Sequence, residues 1–177
     1  MRTMPKSKTP NATTESIKIP TRTRHSTSKD QSAFDDTFIR ETRVSYIHSQ
    51  QALFKIRSAS DVATFVRSIL TDNSREHFVA MFLDAMHQVT AYSIVSIGTA
   101  NYAVVTPREV YQRAIVAGSI AIAVAHNHPS GSPVPSDEDH RVTKRLFESG
   151  VLLGIKLLDH VVVTDHEHYS FSENGVL

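Results

Sequence analysis

The chain has 177 residues, 40% of them hydrophobic, which suits one ordinary domain with a modest core. Its 19 Lys and Arg nearly balance 18 Asp and Glu, and a net charge of +1 excludes strong polyanion binding by the chain as a whole. With no cysteine there is no disulfide framework and no thiolate metal site, so any metal must use imidazole and carboxylate.

Residues 1–33 contain twelve Ser or Thr, three Pro, seven Lys or Arg and two acidic residues. Their local charge of +5 leaves −4 for the remainder. Such a segment cannot bury enough surface to offset its ordering entropy and reads as a disordered tail, either a solvated leader or a weak nucleic acid contact. It has basic residues but no apolar stretch of the signal-peptide kind. No run is long and apolar enough for a membrane helix, so the cytoplasm is the expected compartment. Residues 34–57 read as a linker or domain edge, with a short strand possible at Val44–Ile47.

From Ser60 to Leu70 the apolar residues Val62, Phe65, Val66, Ile69 and Leu70 recur at helical spacing, with Ser60 as cap. Phe78 to Asp84 and Val89 to Ile97 read as a hairpin around the turn 85–88, and 103–105 as a brief further strand. Thr106-Pro107-Arg108-Glu109 is a helix start with a cap, an N1 proline and a capping box; the helix runs to about Ala117. Ser119 to Ala125 has the continuous apolar character of a buried strand. A helix from Asp137 to about Ser149 ends at Gly150. Gly154 to Thr164 is a strand, 165–167 a turn, and His168 to Phe171 pairs back. Helices alternating with strands of mixed direction predict an α/β layered fold.

The chemistry gathers behind the 119–125 strand, at His126-x-His128 followed by Ser136 and Asp139. Imidazoles two positions apart on extended chain point the same way. The Pro, Gly and Ser between 129 and 135 can turn the chain back to bring Asp139 beside them. Two neutral imidazoles and one carboxylate make a three-ligand zinc site with an open fourth position, the arrangement of a catalytic zinc. The competing reading is a plain helix start, with Ser136 as N-cap and Asp139 three residues on, as in a capping box.

The spacing His126-x-His128-x7-Ser136-x2-Asp139 resembles the JAMM (MPN+) metalloprotease motif. The wider text is similar to the RadC family of bacterial JAMM-domain proteins: Thr106-Pro107-Arg108-Glu109-Val110, His126-Asn127-His128-Pro129-Ser130-Gly131, Pro135-Ser136-x2-Asp139 and Leu158-Asp159-His160. The resemblance covers roughly residues 58–177, which are expected to form the metallohydrolase domain. It implies an MPN, or cytidine-deaminase-like, α-β-α sandwich around a mixed sheet. It also implies a zinc metallopeptidase acting on a protein or peptide amide. In that pattern a glutamate at a strand start, well upstream of the His pair, takes and returns the proton. Glu76 fits, and Glu109, already explained by its capping box, is the weaker competitor. Ser136 would support the oxyanion. The family also carries a DNA-repair label, and the chain resembles its short form, without a helix-hairpin-helix region and often linked with mobile elements. That leaves a DNA-associated accessory protein or a zinc-binding scaffold as rivals; a scaffold would need no Glu76. Asn127 is assigned no ligand role. His140 is read as facing away, His77, His87, His166 and His168 as surface or turn residues, and Asp159-His160 as either outer support for the zinc or a core or surface pairing.

Overall fold

The computed structural model describes residues 53–98 and 105–177. In chain order these form β1 (Phe54–Lys55), α1 (Ala59–Ile69), β2 (His77–Leu83), β3 (Gln88–Ile97), α2 (Pro107–Val116), β4 (Ala121–Asn127), α3 (Asp137–Leu153), β5 (Lys156–Val163) and β6 (His168–Ser170). The segments 1–33 and Val44–Ile47, and residues 99–104, lie outside the described residues.

The six strands make one mixed sheet in the order β1-β3-β2-β4-β5-β6. β2 pairs antiparallel with both β3 and β4, while β4 and β5 run parallel. Both faces are covered. Val79, Met81 and Leu83 of β2 join Ala123, Ala125, Val161 and Val163 against Val62, Phe65 and Val66 of α1. The alternate residues Phe78, Ala80 and Phe82 join Ile122, Val124 and Leu157 against α2 and α3, through Val110, Tyr111, Ala114, Val142 and Leu146. Two covered faces explain why β2 and β4 are buried at every position and read as continuous apolar runs. This is the α-β-α sandwich.

Several boundaries differ from the sequence expectation, each for a local reason. α1 is capped by Ser58 rather than Ser60: the Ser58 hydroxyl accepts from the Asp61 amide at 3.3 Å. The strand expected at 119–125 runs from 121 to 127, paired through its last residues with Phe78 and with Val161 to Val163 of β5. His126 therefore lies inside the sheet and His128 just beyond it. Val105 is buried but belongs to no strand.

α3 does not stop at Gly150. It continues to Leu153 and closes on Gly154, whose φ of 69° is the left-handed conformation glycine adopts freely. Gly150 is small for another reason. A Cβ there would meet the Tyr111 hydroxyl and, at 2.5 Å, the Ile155 carbonyl oxygen. Tyr111 is itself pinned, donating to the Leu146 carbonyl at 2.8 Å, and burial pushes its phenol up to about 12. Gly150→Ala is accordingly expected to destabilise the fold. An overpacking cost of about 1–3 kcal/mol exceeds the helix-propensity gain of about 1 kcal/mol; chemical denaturation reads the difference.

Candidate metal centre

β4 carries His126 into the α3 side of the sheet, in the same face register as Ile122 and Val124. His128 follows at the strand end, where the chain leaves β4 with its amide still bonded to the Val163 carbonyl at 3.0 Å. The loop 129–135 returns the chain to the start of α3. There Ser136 caps the helix and Asp139 occupies its third position.

The two sequence readings of Ser136 and Asp139 are both present in one arrangement. The Asp139 amide donates to Ser136 Oγ at 3.2 Å, and Asp139 Oδ2 accepts from both the Ser136 amide and its hydroxyl at 2.7 Å. That is a complete capping box. Asp139 also sits 3.2 Å through Oδ1 from His126 Nε2 and 3.7 Å through Oδ2 from His128 Nε2. The two Nε2 atoms are 2.9 Å apart. His126, His128 and Asp139 are thus a group that could hold a metal ion. Donors bound tetrahedrally to zinc at about 2.0–2.2 Å would lie about 3.3–3.5 Å from one another. The three observed separations bracket that range, so the donor set fits such an ion.

The electrostatics agree. Burial pushes the Asp139 carboxyl up, but the neighbouring His126, His128 and Ser136 groups outweigh it and hold the carboxyl well below the usual carboxylate range. The Asp139 carboxylate beside it raises His128 against the opposing effect of burial, and the Ser132 carbonyl and the charge of Glu76 add to the rise. His128 Nδ1 lies 2.8 Å from the Ser132 carbonyl, which can only accept, so Nδ1 carries the proton and Nε2 keeps its lone pair.

Glu76 lies immediately before β2. It borders a cleft of about 260 Å³ with Ser74, Arg75, His128, Pro129 and Ser130. The Glu76 carbonyl accepts from the Gly98 amide at 2.8 Å. Glu109 is occupied as expected: its carboxylate faces the Thr106 amide at 3.3 Å and hydroxyl at 3.2 Å.

Asn127 is no metal ligand, but the structure gives it a task. Its Oδ1 accepts from the His77 amide at 2.7 Å and its Nδ2 donates to the Arg75 carbonyl at 2.9 Å. One side-chain amide thereby holds the backbone on both sides of Glu76. His77 is not a surface residue as expected. It is buried, and its Nδ1 donates to the same Arg75 carbonyl at 2.9 Å. Alternation along β4 shows that Asn127 points away from its neighbours, but nothing local says that residues 75–77 lie opposite.

The Asp159-His160 pair divides. His160 turns toward the centre, with Nε2 2.9 Å from His126 Nδ1, and stacks on Phe171. Asp159 supports the C-terminal turn, accepting from Ser170 Oγ at 2.6 Å and the Ser172 amide at 3.0 Å. Burial raises the Asp159 carboxyl above its ordinary value despite those bonds. The native state then binds more protons than the unfolded chain above pH 3.8. This group's contribution is full below that pH and is lost as pH rises through the raised value. Asp159→Asn is expected to remove that falling limb, read as unfolding free energy followed upward in pH from 3.8.

His140 is exposed beside Phe171, and His87, His166 and His168 are exposed or half-buried, consistent with the surface and turn assignments. Among the described residues no helix is long and apolar enough to cross a membrane.

An α-β-α sandwich that sets a His-x-His strand end against an aspartate at a helix start defines a JAB, or MPN, domain with a candidate metal centre. A family model described as the RadC-like JAB domain matches residues 56–176, and the chain belongs to that family. Its similar relatives include UPF0758 proteins. The one from Trichlorobacter lovleyi is 42% identical over 127 residues, covering 72% of this chain and 55% of the relative. That from Alkaliphilus metalliredigens is 43% identical over 124 residues, 70% of this chain and 53% of the relative. That from Bacillus cereus is 42% identical over 125 residues, 71% of this chain and 56% of the relative. The matched region spans about half the length of these relatives.

Proposed function

We propose that the domain is a zinc-dependent hydrolase of amide bonds, acting on a protein or peptide. The observation that carries this is the convergence of the His126, His128 and Asp139 donor atoms beside a cleft bordered by Glu76. His126, His128 and Asp139 would hold the ion. Zinc, when bound, supplies a Lewis acid that makes water acidic near neutral pH. Glu76 takes the proton of the attacking water and returns it to the leaving amine. Its backbone, fixed by Asn127 and Gly98, keeps that carboxylate from drifting. Ser136 has one hydroxyl proton, now donated to Asp139 Oδ2. Turning it toward the substrate carbonyl stabilises the developing negative charge.

The test is elemental analysis of wild type and His126→Ala, followed by assay of peptide and isopeptide substrates with and without chelator. One zinc per wild-type chain, lost in the variant, together with chelator-sensitive cleavage, is expected. Wild-type protein without zinc after preparation in its presence would overturn the reading.

A further inference from the structure

Behind His126 lies a chain of buried polar groups that the proposed reaction does not use. His126 Nδ1 is 2.9 Å from His160 Nε2, and His160 Nδ1 is 2.5 Å from Thr143 Oγ1. Thr143 Oγ1 is also 2.5 Å from the Asp139 backbone carbonyl. His126, His160 and Thr143 are all fully buried, so each of these contacts needs one proton and one lone pair.

The end of the chain sets its polarity. A carbonyl oxygen can only accept, so the single Thr143 proton is directed to Asp139. The Thr143 oxygen must then accept from His160 Nδ1, which leaves His160 Nε2 as a lone pair. That lone pair accepts from His126 Nδ1, and His126 Nε2 is left bare, facing Asp139 and His128, so three acceptors meet where only a cation, a metal ion or a shared proton, reconciles them. The reverse polarity would place a proton on His126 Nε2, where no metal could bind, and would set two acceptor oxygens 2.5 Å apart at Asp139 and Thr143. The rings have little freedom to escape this. His160 stacks on Phe171 with centroids 4.9 Å apart, and Phe78 packs beside both rings.

We propose that Thr143 and His160 are positioning residues that fix His126 in the tautomer with its proton on Nδ1 and its Nε2 free for the metal. The signal starts at the backbone of Asp139, so the helix that supplies the carboxylate ligand also prepares the imidazole ligand. This rests on the metal-centre reading above and extends it to residues that touch no metal.

The test has two readouts. Nitrogen-15 NMR of metal-free protein, above the pH at which the rings are charged, reports the tautomers directly. His126 and His160 are both expected to carry a proton on Nδ1; a proton on His160 Nε2 in wild type would overturn the proposal without any variant. Zinc affinity by chelator competition is the second readout. Thr143→Val keeps the volume but strands the His160 proton, and is expected to weaken zinc binding about 10–100-fold. Thr143→Ser restores the acceptor and should bind as wild type does. Equal weakening in the Ser and Val variants, or none in the Val variant, would leave Thr143 a packing residue and reject the relay. Should wild type bind no zinc, the hydrolase reading fails, and the metal-free spectrum still decides the relay.

Discussion

Asp139→Asn protein is expected to retain its fold and lose its metal. The two oxygens of Asp139 have separate work: Oδ2 closes the capping box with Ser136, and Oδ1 faces His126 Nε2. An asparagine carbonyl can still accept from the Ser136 amide, so the helix start survives. It cannot supply the negative charge that the two neutral imidazoles need to hold a divalent ion. Metal content should therefore fall from one ion per chain to less than about a tenth at micromolar protein, given that loss of even an outer supporting group costs about 10–100-fold. Asp139→Ala removes both functions. It should lose the metal and, measured metal-free, also lose about 0.5–2 kcal/mol of stability with the cap. Asp139→Asn and Asp139→Ala thus separate the helix-capping reading from the metal reading. If Asp139→Asn kept full metal, the carboxylate would be a cap and nothing more.

The second large effect is expected at Glu76. Glu76→Gln conserves shape, leaves the three donor residues untouched and removes the proposed proton acceptor. Zinc content should stay at one per chain while turnover falls about 10²–10⁴-fold, the usual worth of a positioned general base. Asn127→Asp tests the support beneath it. That change keeps the acceptor for the His77 amide but places an oxygen against the Arg75 carbonyl, where a donor stood at 2.9 Å. The backbone around Glu76 should loosen, lowering kcat with metal content unchanged and KM little affected. Equal turnover in Glu76→Gln and wild type would remove Glu76 from the mechanism, whereas no turnover in zinc-loaded wild type would favour a zinc-binding scaffold. Loss of zinc in Asn127→Asp would show that Asn127 serves the metal strand rather than Glu76.

The sequence by itself determined the layered α/β architecture, because hydrophobic period and turn chemistry are local properties. The continuous apolar runs of β2 and β4, the Thr106 capping box and the Gly-terminated α3 are all legible from neighbours within a few residues. The candidate metal set was also legible, since His126 and His128 stand two positions apart at a strand end and Asp139 follows within one loop. Boundaries were less so. Ser58 and Ser60 are equivalent as local caps, and Gly150 and Gly154 as local stops, and only packing distinguishes them; Gly150 is small because Tyr111, 39 residues away, lies against it. What the tertiary structure alone decided is the support of the site. The clamp of Asn127 on residues 75 and 77 spans 50 residues of sequence or more, and the path from Thr143 through His160 to His126 joins α3, β5 and β4. Such hydrogen bonds have no period and no fixed spacing, because each partner is delivered by a different strand or helix. The sheet order that brings β2, β4 and β5 side by side is what makes them neighbours.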